Sequence, residues 1–510
     1  MIRISSYAVP LSDERPLAAL AAERLGISSD DILAVRIVRR ALDARRYRGA
    51  PLAFLYTLDV RIQGSEKKLL SRLRHDRHVA LAEKEEKLDL ARFSPLAPGE
   101  ARPVVVGFGP AGMFAALTLA RAGLSPLVLE RGYDVEARHA AIERFWQKGT
   151  LDVRSNVQFG EGGAGTFSDG KLTTRIGDSL ISEVLDAFVA AGAPEEIKYL
   201  HKPHVGTDRL ISIVTAMREE ILRLGGEVRF SSRAADFCVE ADKLSAVLIE
   251  RADGTRYELK TEVLIAATGH SARDTFRALA SRGFSMEAKA FAVGFRVQHR
   301  QRDISLSQYG AREADFLPPA PYKLAAKTSV GRGVYSFCMC PGGFVVNASS
   351  EVGGTVVNGM SYADRGSENA NAAIIVSVTP EDFQRYGTGA LAGLAFQEEL
   401  EKRAFLAGQG KIPVQLYGDF LSERESQSFG GIQPCFAGQY RFSRLNGILD
   451  APLETAFVEG MMRFGRQIKG FDAPEVILAG VESRTSSPVR IFRDAAFQAN
   501  VRGFYPCGEG

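Results

Sequence analysis

The sequence predicts an α/β protein of three parts, and three observations carry that reading. Between Val104 and Leu129 a buried strand, a glycine-rich turn, a helix and a second buried strand follow in order, the pattern of a βαβ unit. The residues before it alternate short apolar runs with helical patches, and from about Ala288 to Pro474 the chain becomes strand-rich and irregular. A length of 510 residues, against roughly 100–200 for one domain, accommodates all three. The expected boundaries are 1–98 for a small α+β N-terminal domain, 100–287 with 475–510 for the βαβ-based domain, and 288–474 for an inserted domain.

Hydrophobic residues at 45% and charged residues at 25% are ordinary globular usage, which argues against disorder. No stretch approaches the ~18 continuous apolar residues of a membrane span, so no membrane partner is expected. Met1 leads into Ile2-Arg3-Ile4-Ser5-Ser6 without the apolar centre of a signal peptide, and five cysteines cannot make a disulfide framework in so long a chain. Both point to a reducing, cytoplasmic location. The net charge of +3 is uneven, with +5 over residues 1–102 and −2 over the rest. Glycine is uneven too: 11 of the 50 fall in residues 103–170, which directs attention to that stretch.

In the first domain Ile2–Ile4, Ile32–Val38 and Leu52–Ile62 read as strands, and Pro16–Leu25 as a helix closed by Gly26. Between the strands lies Arg39-Arg40-Ala41-Leu42-Asp43-Ala44-Arg45-Arg46-Tyr47-Arg48, with Lys67, Lys68, Arg72, Arg74 and Arg77 following. The favoured reading is a solvated basic face. Contact with nucleic acid or an acidic redox partner is the less favoured alternative. A helix over Glu83–Lys87 and a linker at Ser94-Pro95-Leu96-Ala97-Pro98-Gly99 close the domain.

Gly107-Phe108-Gly109-Pro110-Ala111-Gly112 joins the first buried strand to the helix that follows, and Ala116 completes the small-residue spacing. Gly107 allows a tight turn, Gly109 lets the backbone approach a pyrophosphate, and Gly112 relieves helix–sheet contact. The unpaired N–H groups and dipole of the helix N-terminus favour an anion there. Glu130 ends the next strand, 23 residues after Gly107, where a carboxylate accepts hydrogen bonds from an adenosine ribose. This spacing serves NAD and FAD alike, since both carry the same ADP half.

Three further motifs favour FAD by resemblance. Glu130-Arg131-Gly132, Leu264-Ile265-Ala266-Ala267-Thr268-Gly269 and Gly503-Phe504-Tyr505-Pro506-Cys507-Gly508-Glu509-Gly510 resemble, in that order, motifs of flavoproteins of the glutathione-reductase superfamily. In the last of them the resemblance implies that the Glu509 carboxylate holds the ribityl chain. Nearly the whole chain resembles the largely uncharacterised bacterial FAD-dependent dehydrogenases, described as NAD(P)/FAD-dependent oxidoreductases. Residues 156–172, Phe337-Cys338-Met339-Cys340-Pro341-Gly342-Gly343 and Glu482-Ser483-Arg484-Thr485-Ser486-Ser487-Pro488-Val489-Arg490 carry that likeness. It implies a Rossmann-like FAD-binding domain in two segments, with an inserted β-rich substrate/cap domain and the small α+β N-terminal domain. It also implies cofactor contacts at Gly107, Gly109, Pro110, Ala111, Gly112, Glu130, Arg131, Gly160, Gly162, Gly163, Gly165, Thr166, Ser168, Thr268, Gly269, Gly508 and Glu509. The chain stops in the middle of the last motif, so a longer, untruncated chain is expected to hold the flavin more tightly.

Other constellations are read around that cofactor. Residues 160–170 offer N–H donors without bulky side chains, suited to a phosphate or a flavin edge, with Ser168, Asp169 and Lys171 as polar groups in reach. Arg296 and His299 end a strand expected to pack over the flavin, and Arg484 and Arg490 flank Thr485–Pro488. Positive charge there stabilises an anionic reduced flavin, while surface ion pairing is the reading accepted for at least one of the four. Cys338 and Cys340 are spaced CxC, not CxxC, so a packed loop is favoured over a flavin-coupled dithiol, which needs a turn at Pro341-Gly342-Gly343. No further ligands accompany them, so no metal is expected. The run of Asn347, Ser349, Ser350, Asn358, Ser361, Asp364, Ser367, Asn369 and Asn371 either lines a polar pocket or serves turns. His201–Asp208 looks like an active-site loop, with Thr207 or Asp208 more simply the N-cap of the next helix. The catalytic candidates are Lys171, Arg296, His299, Cys338, Cys340 and Arg484.

The expected function is that of an FAD-dependent oxidoreductase exchanging a hydride between flavin N5 and an unidentified small-molecule substrate under the inserted domain. Gly387-Thr388-Gly389 lacks a preceding strand, so there is no second fingerprint, and NAD(P)H is left as a transient electron donor at the flavin face. Two rivals stand beside this reading: an RNA-modifying flavoprotein using the basic N-terminal domain, and a non-catalytic flavin-binding or electron-transfer protein.

Overall fold

The computed structural model describes residues 1–45, 51–83, 87–97, 99–167, 170–174 and 176–508. The backbone divides into two compact units, residues 1–89 with 171–205, and residues 90–170 with 206–510.

In the first unit, strand Ile2–Pro10, helix Leu17–Leu25, strands Ile32–Asp43 and Ala53–Ile62, helix Glu66–Arg72 and strand Val79–Leu81 make a β-α-β-β-α-β unit. Ile2–Pro10 is central, antiparallel to Ala53–Ile62 and to Val79–Leu81, and Ile32–Asp43 adds beyond Ala53–Ile62. Strand alternation sends Ile2, Ile4, Leu58 and Val60 to the face covered by Ala21 and Leu25, where all six are fully buried. Asp59 alternates with them. It too has no exposed surface, and it accepts from Arg3 Nε and Nη2 at 2.7 and 2.9 Å and from Arg36 Nη2 at 2.8 Å. Burial alone would raise this carboxyl; the two arginines outweigh it and hold the group below its usual range.

Arg39 and Arg40 stand inside the strand Ile32–Asp43, not in a connection between strands, because after a register shift at Ile37 the chain goes on pairing with Thr57 and Tyr56 of the neighbouring strand. The edge of that strand is paired by the segment 171–205, with Arg40 N donating to Tyr199 O at 2.7 Å and His201 N to Arg40 O at 2.9 Å. The sequence boundaries assigned this segment to the 100–287 domain; it packs instead with residues 1–89. Arg46, Tyr47, Arg48 and the centre of the helix expected at Glu83–Lys87 lie outside the described residues.

The second unit holds a five-stranded parallel sheet in the spatial order Phe504–Pro506, Leu264–Ala266, Val104–Val106, Leu127–Leu129, Glu227–Arg229. Numbered along the chain, that is 5-4-1-2-3, the order of dinucleotide-binding sheets, with its switch point beside Val104–Val106. Val105, Val128 and Leu264 are fully buried, as parallel strands packed on both faces must be. A three-stranded antiparallel sheet, Ser232–Glu240, Lys243–Arg251 and Arg256–Lys260, has a turn at Asp253-Gly254 between its last two strands. Beyond it runs a seven-stranded sheet. At its centre Phe291–Arg300 pairs antiparallel with Asn369–Val378 on one side and Ile477–Glu482 on the other, and these strands are buried along almost their whole length. The chain is thus a mixed α/β protein with several sheets.

Candidate functional site

Four motifs from distant parts of the sequence meet at the carboxyl ends of neighbouring parallel strands. Gly107 follows Val106 with φ +97°, and a Cβ on it would lie 2.4 Å from Ala267 O and 3.2 Å from Thr268 Cα. A Cβ on Gly112 would stand 1.9 Å from Gly107 O, so turn and helix can close only on glycine. A Cβ on Gly109 would reach ordinary contact, 3.5 Å, with Gly163 Cα. Gly508, after Phe504–Pro506, sits with its Cβ position 3.7 Å from Ala111 Cβ. The helix Pro110–Arg121 starts here with no side-chain cap from its N-cap Gly109, leaving first-turn amides directed at this space. Thr268 and Gly269 follow Leu264–Ala266 into the same neighbourhood. Ser168, Asp169 and Glu509 lie outside the described residues.

Glu130 is almost wholly buried. Its Oε2 accepts from Phe108 N at 2.8 Å, and its Oε1 accepts from Gly132 N at 2.9 Å and Gly160 N at 3.0 Å. It thereby ties the fingerprint turn to the second glycine cluster. Three of a carboxylate's roughly four acceptor directions are used in this way, which leaves capacity for a ribose hydroxyl. Arg131, next along, donates to Asp274 at 2.9 Å and lies 4.4 Å over the Phe159 ring. With Arg154, Arg233 and Glu250 it lines a cavity of about 260 Å³.

The glycine cluster is held from beneath by residues that the sequence reading missed. Gly162 N donates to Phe108 O at 2.8 Å, and Gly163–Thr166 forms one helical turn. Arg138, on the helix Val135–Lys148, has no exposed surface and donates to the carbonyls of Asn156 at 2.9 Å, Val157 at 3.0 Å, Gly160 at 3.3 Å and Glu161 at 2.5 Å. Burial pulls its guanidinium down to about 9. Glu161 Oε2 accepts from Val135 N and Arg218 Nη1, both at 2.8 Å, while Oε1 has no partner among the described residues. Desolvation pushes this carboxyl up to about 7 in spite of Arg218 and Arg138. One signal was available: Arg138 lies on the stripe of Val135, Ala141, Ile142 and Phe145, where an apolar residue would be usual.

The other candidates are distributed as follows. Lys171 belongs to the first unit, in an antiparallel bridge with His204. Arg296 is fully buried, and its Nε donates to Glu482 at 2.9 Å; Nη1 bonds Asn371 Oδ1 at 2.6 Å and Cys338 O at 3.1 Å, and Nη2 bonds Asn358 Oδ1 at 3.1 Å. His299 donates from Nε2 to Phe471 O at 2.8 Å, and burial lowers it to about 4, so the ring is neutral. Arg484 grips Glu401 with Nε at 2.9 Å and Nη2 at 2.7 Å, and Arg273 Nη2 reaches the same carboxylate at 2.7 Å. Arg490 makes an exposed ion pair with Glu287 at 3.0 Å. In the Ser/Asn run, Asn347 accepts from Ser349, Ser350 accepts from Arg484, and Asn369 donates to Gln298. These side chains serve internal bonding. The cap of the helix Thr207–Arg223 is Gly206, not Thr207 or Asp208, and Asp208 instead accepts from Ala363 N at 2.8 Å. A separate cavity of about 1050 Å³ lies within the first unit, between Arg3 and Arg36 and the segment bearing Ser182 and Tyr199.

Comparison with known proteins bears on this site. Residues 290–485 match a family described as FAD-dependent protein, C-terminal domain-like, and residues 1–61 match a domain of unknown function. An uncharacterised protein of Clostridium beijerinckii is 46% identical over 515 residues, covering 100% of this chain and 94% of that one. Tetracenomycin B2 monooxygenase-dioxygenase of Streptomyces olivaceus is 34% identical over 93 residues, 18% of this chain and 16% of that one. Among solved structures, a flavoprotein/dehydrogenase from Cytophaga hutchinsonii is 14% identical, with a TM-score of 0.28 over 58% of this chain and 61% of that one. The chain belongs to one family with the Clostridium beijerinckii protein, and its residues 290–485 are similar to the FAD-dependent C-terminal domain-like family.

Proposed function

We propose that the second unit binds FAD at the carboxyl ends of its parallel sheet and that the protein is an FAD-dependent oxidoreductase, exchanging a hydride between the flavin and an unidentified substrate. The observation that carries this is the convergence of Gly107–Gly112, Glu130, Thr268–Gly269 and Gly508 at the switch point. The FAD-dependent description of residues 290–485 supports it.

The residues present fit the cofactor. The helix N-terminus has no side-chain cap, and the glycine turns beside it come together closely, a Cβ on Gly163 lying 2.8 Å from Gly109 Cα. Gly107, Gly109, Ala111 and Gly112 would hold the pyrophosphate and Glu130 the ribose. Arg131 would flank the adenosine end, while Gly160–Thr166 and Thr268–Gly269 would border the rest. When bound, FAD supplies a two-electron hydride acceptor or donor. The chain supplies position: Glu130 ties the two glycine turns to each other, Arg138 holds the second from beneath, and the apolar parallel strands keep water from under them.

The test is to release the flavin from purified protein and identify it by chromatography. The flavin absorbance is then followed anaerobically while NADH, NADPH or small thiols are added. Bound FAD bleached by at least one donor is expected. Protein that neither retains nor takes up FAD overturns the binding assignment, and a bound flavin that no donor reduces overturns the oxidoreductase assignment.

A further inference from the structure

Cys338 and Cys340 lie at the end of the strand Gly333–Cys340, which pairs with Asn369–Val378. The pairing slips there: Phe337 faces Ala373 and Cys340 faces Asn371, so one extra residue is inserted on the cysteine strand. Cys338 takes up that residue in the left-handed region, with φ +40°. A non-glycine residue there costs on the order of 1–2 kcal/mol, so the surrounding structure must impose it. On a regular strand, positions two apart share a face. Here the bulge also turns the chain back, and Cys340 Sγ donates to the Cys338 carbonyl at 3.3 Å. Two extended residues span at most about 7 Å, close to the upper limit of the Cα separations that a disulfide bridges.

A fixed cation accompanies the pair. Arg296 Nη1 lies 3.1 Å from Cys338 O and 4.0 Å from Cys340 Sγ. Its guanidinium is held by Glu482, Asn371 and Asn358, and a Cβ on Gly359 would come within 2.1 Å of Nη1. Cys340 is 1% exposed, whereas Cys338 is partly exposed, and neither is in a disulfide. The arrangement is therefore an outer cysteine that is partly exposed, a buried inner cysteine one bulge away, and a guanidinium, paired with Glu482, 4.0 Å from the inner sulfur.

We propose that Cys338 and Cys340 form a reversible dithiol–disulfide pair that exchanges two electrons with a low-molecular-weight disulfide and its thiol. Cys338 loses its proton to solvent and attacks one sulfur of the disulfide. That S–S bond breaks, a mixed disulfide forms on Cys338, and the first thiolate leaves and takes up a proton. Cys340, beside the Arg296 guanidinium, then attacks the Cys338 sulfur and gives up its proton to the second thiolate, which leaves as the thiol. The cysteine pair has lost two electrons and two protons, and the small disulfide has become two thiols. Excess thiol runs the sequence backwards. No step involves the flavin.

The experiment uses the full chain with Cys238, Cys435 and Cys507 replaced by serine, reduced, freed of reductant and exposed to glutathione disulfide, with intact mass and peptide mapping as readout. The expected result is a loss of two hydrogens located between Cys338 and Cys340, restored by excess reduced glutathione. Cys340→Ser is expected to retain one glutathione on Cys338, and Cys338→Ser to take up none. An unchanged mass overturns the proposal, as does glutathione persisting on Cys338 when Cys340 is present. If a serine variant fails to fold, mapping the unsubstituted protein decides between the same outcomes. Because the readout is mass, failure of the FAD assignment would leave this result standing.

Discussion

Arg138 has no exposed surface and directs its guanidinium at four backbone carbonyls of residues 156–161. Arg138→Met keeps much of the stem and strips those carbonyls of a donor, at about 1–3 kcal/mol for each that stays dry. The melting midpoint is expected to fall by roughly 5 °C or more, and bound flavin to be lost on gel filtration; a midpoint unchanged within a degree would refute this. Glu161 makes a pH prediction. Its folded value of about 7 lies above the ordinary 4.5, so its contribution is complete below pH 4.5 and is lost as pH rises through 7. Thermal melts from pH 5 to 7.5 are expected to fall in the native chain and to flatten in Glu161→Gln. His299 runs the other way. Lowered from 6.5 to about 4, it withdraws stability as pH drops across that interval, and His299→Phe is expected to remove that acid sensitivity. None of these three partner sets was legible in the sequence. His299 finds the Phe471 carbonyl at a separation of 172 residues, and no local periodicity records such a pairing.

At the level of elements, the glycines of the fingerprint separate folding from binding. Gly112→Ala drives a methyl into Gly107 O and is expected to abolish soluble expression or lower the midpoint severely. Gly109→Ala meets only ordinary contact with Gly163, so its melt is expected to match the native chain while flavin retention drops by tenfold or more, measured by equilibrium dialysis. Equal retention by both chains would remove Gly109 from the cofactor site. This turn was readable because its requirements are local: a strand, a φ near +97° and a helix start all fall within ten residues. The cysteine bulge was not, because a register slip is a property of two strands and leaves no mark on one. The strand through Arg39 and Arg40 was cut short for a related reason: its continuation is stabilised by Tyr199 and His201, which are remote in sequence.

Over the whole molecule, the expected boundaries did not anticipate the return of residues 171–205 to the first unit. A linker can be recognised by its prolines, whereas a segment that leaves one unit to complete another resembles any helix and loop. A chain of residues 90–510 therefore lacks the partner of that segment. In hydrogen exchange its His201 amide, bonded to Arg40 O in the intact protein, is expected to lose protection while Val105 and Val128 keep theirs. Continued protection of His201 would show that the segment folds without residues 1–89.

The parallel sheet also has a timetable. Leu264–Ala266 is flanked on one side by Val104–Val106, made long before it, and on the other by Phe504–Pro506. At 5–20 residues per second, ribosomal synthesis leaves that second edge open for tens of seconds after the strand emerges. For that interval the nascent protein presents a row of unpaired N–H and C=O groups beside the fingerprint turn. Until the last strand arrives, that edge is open to pairing with another chain.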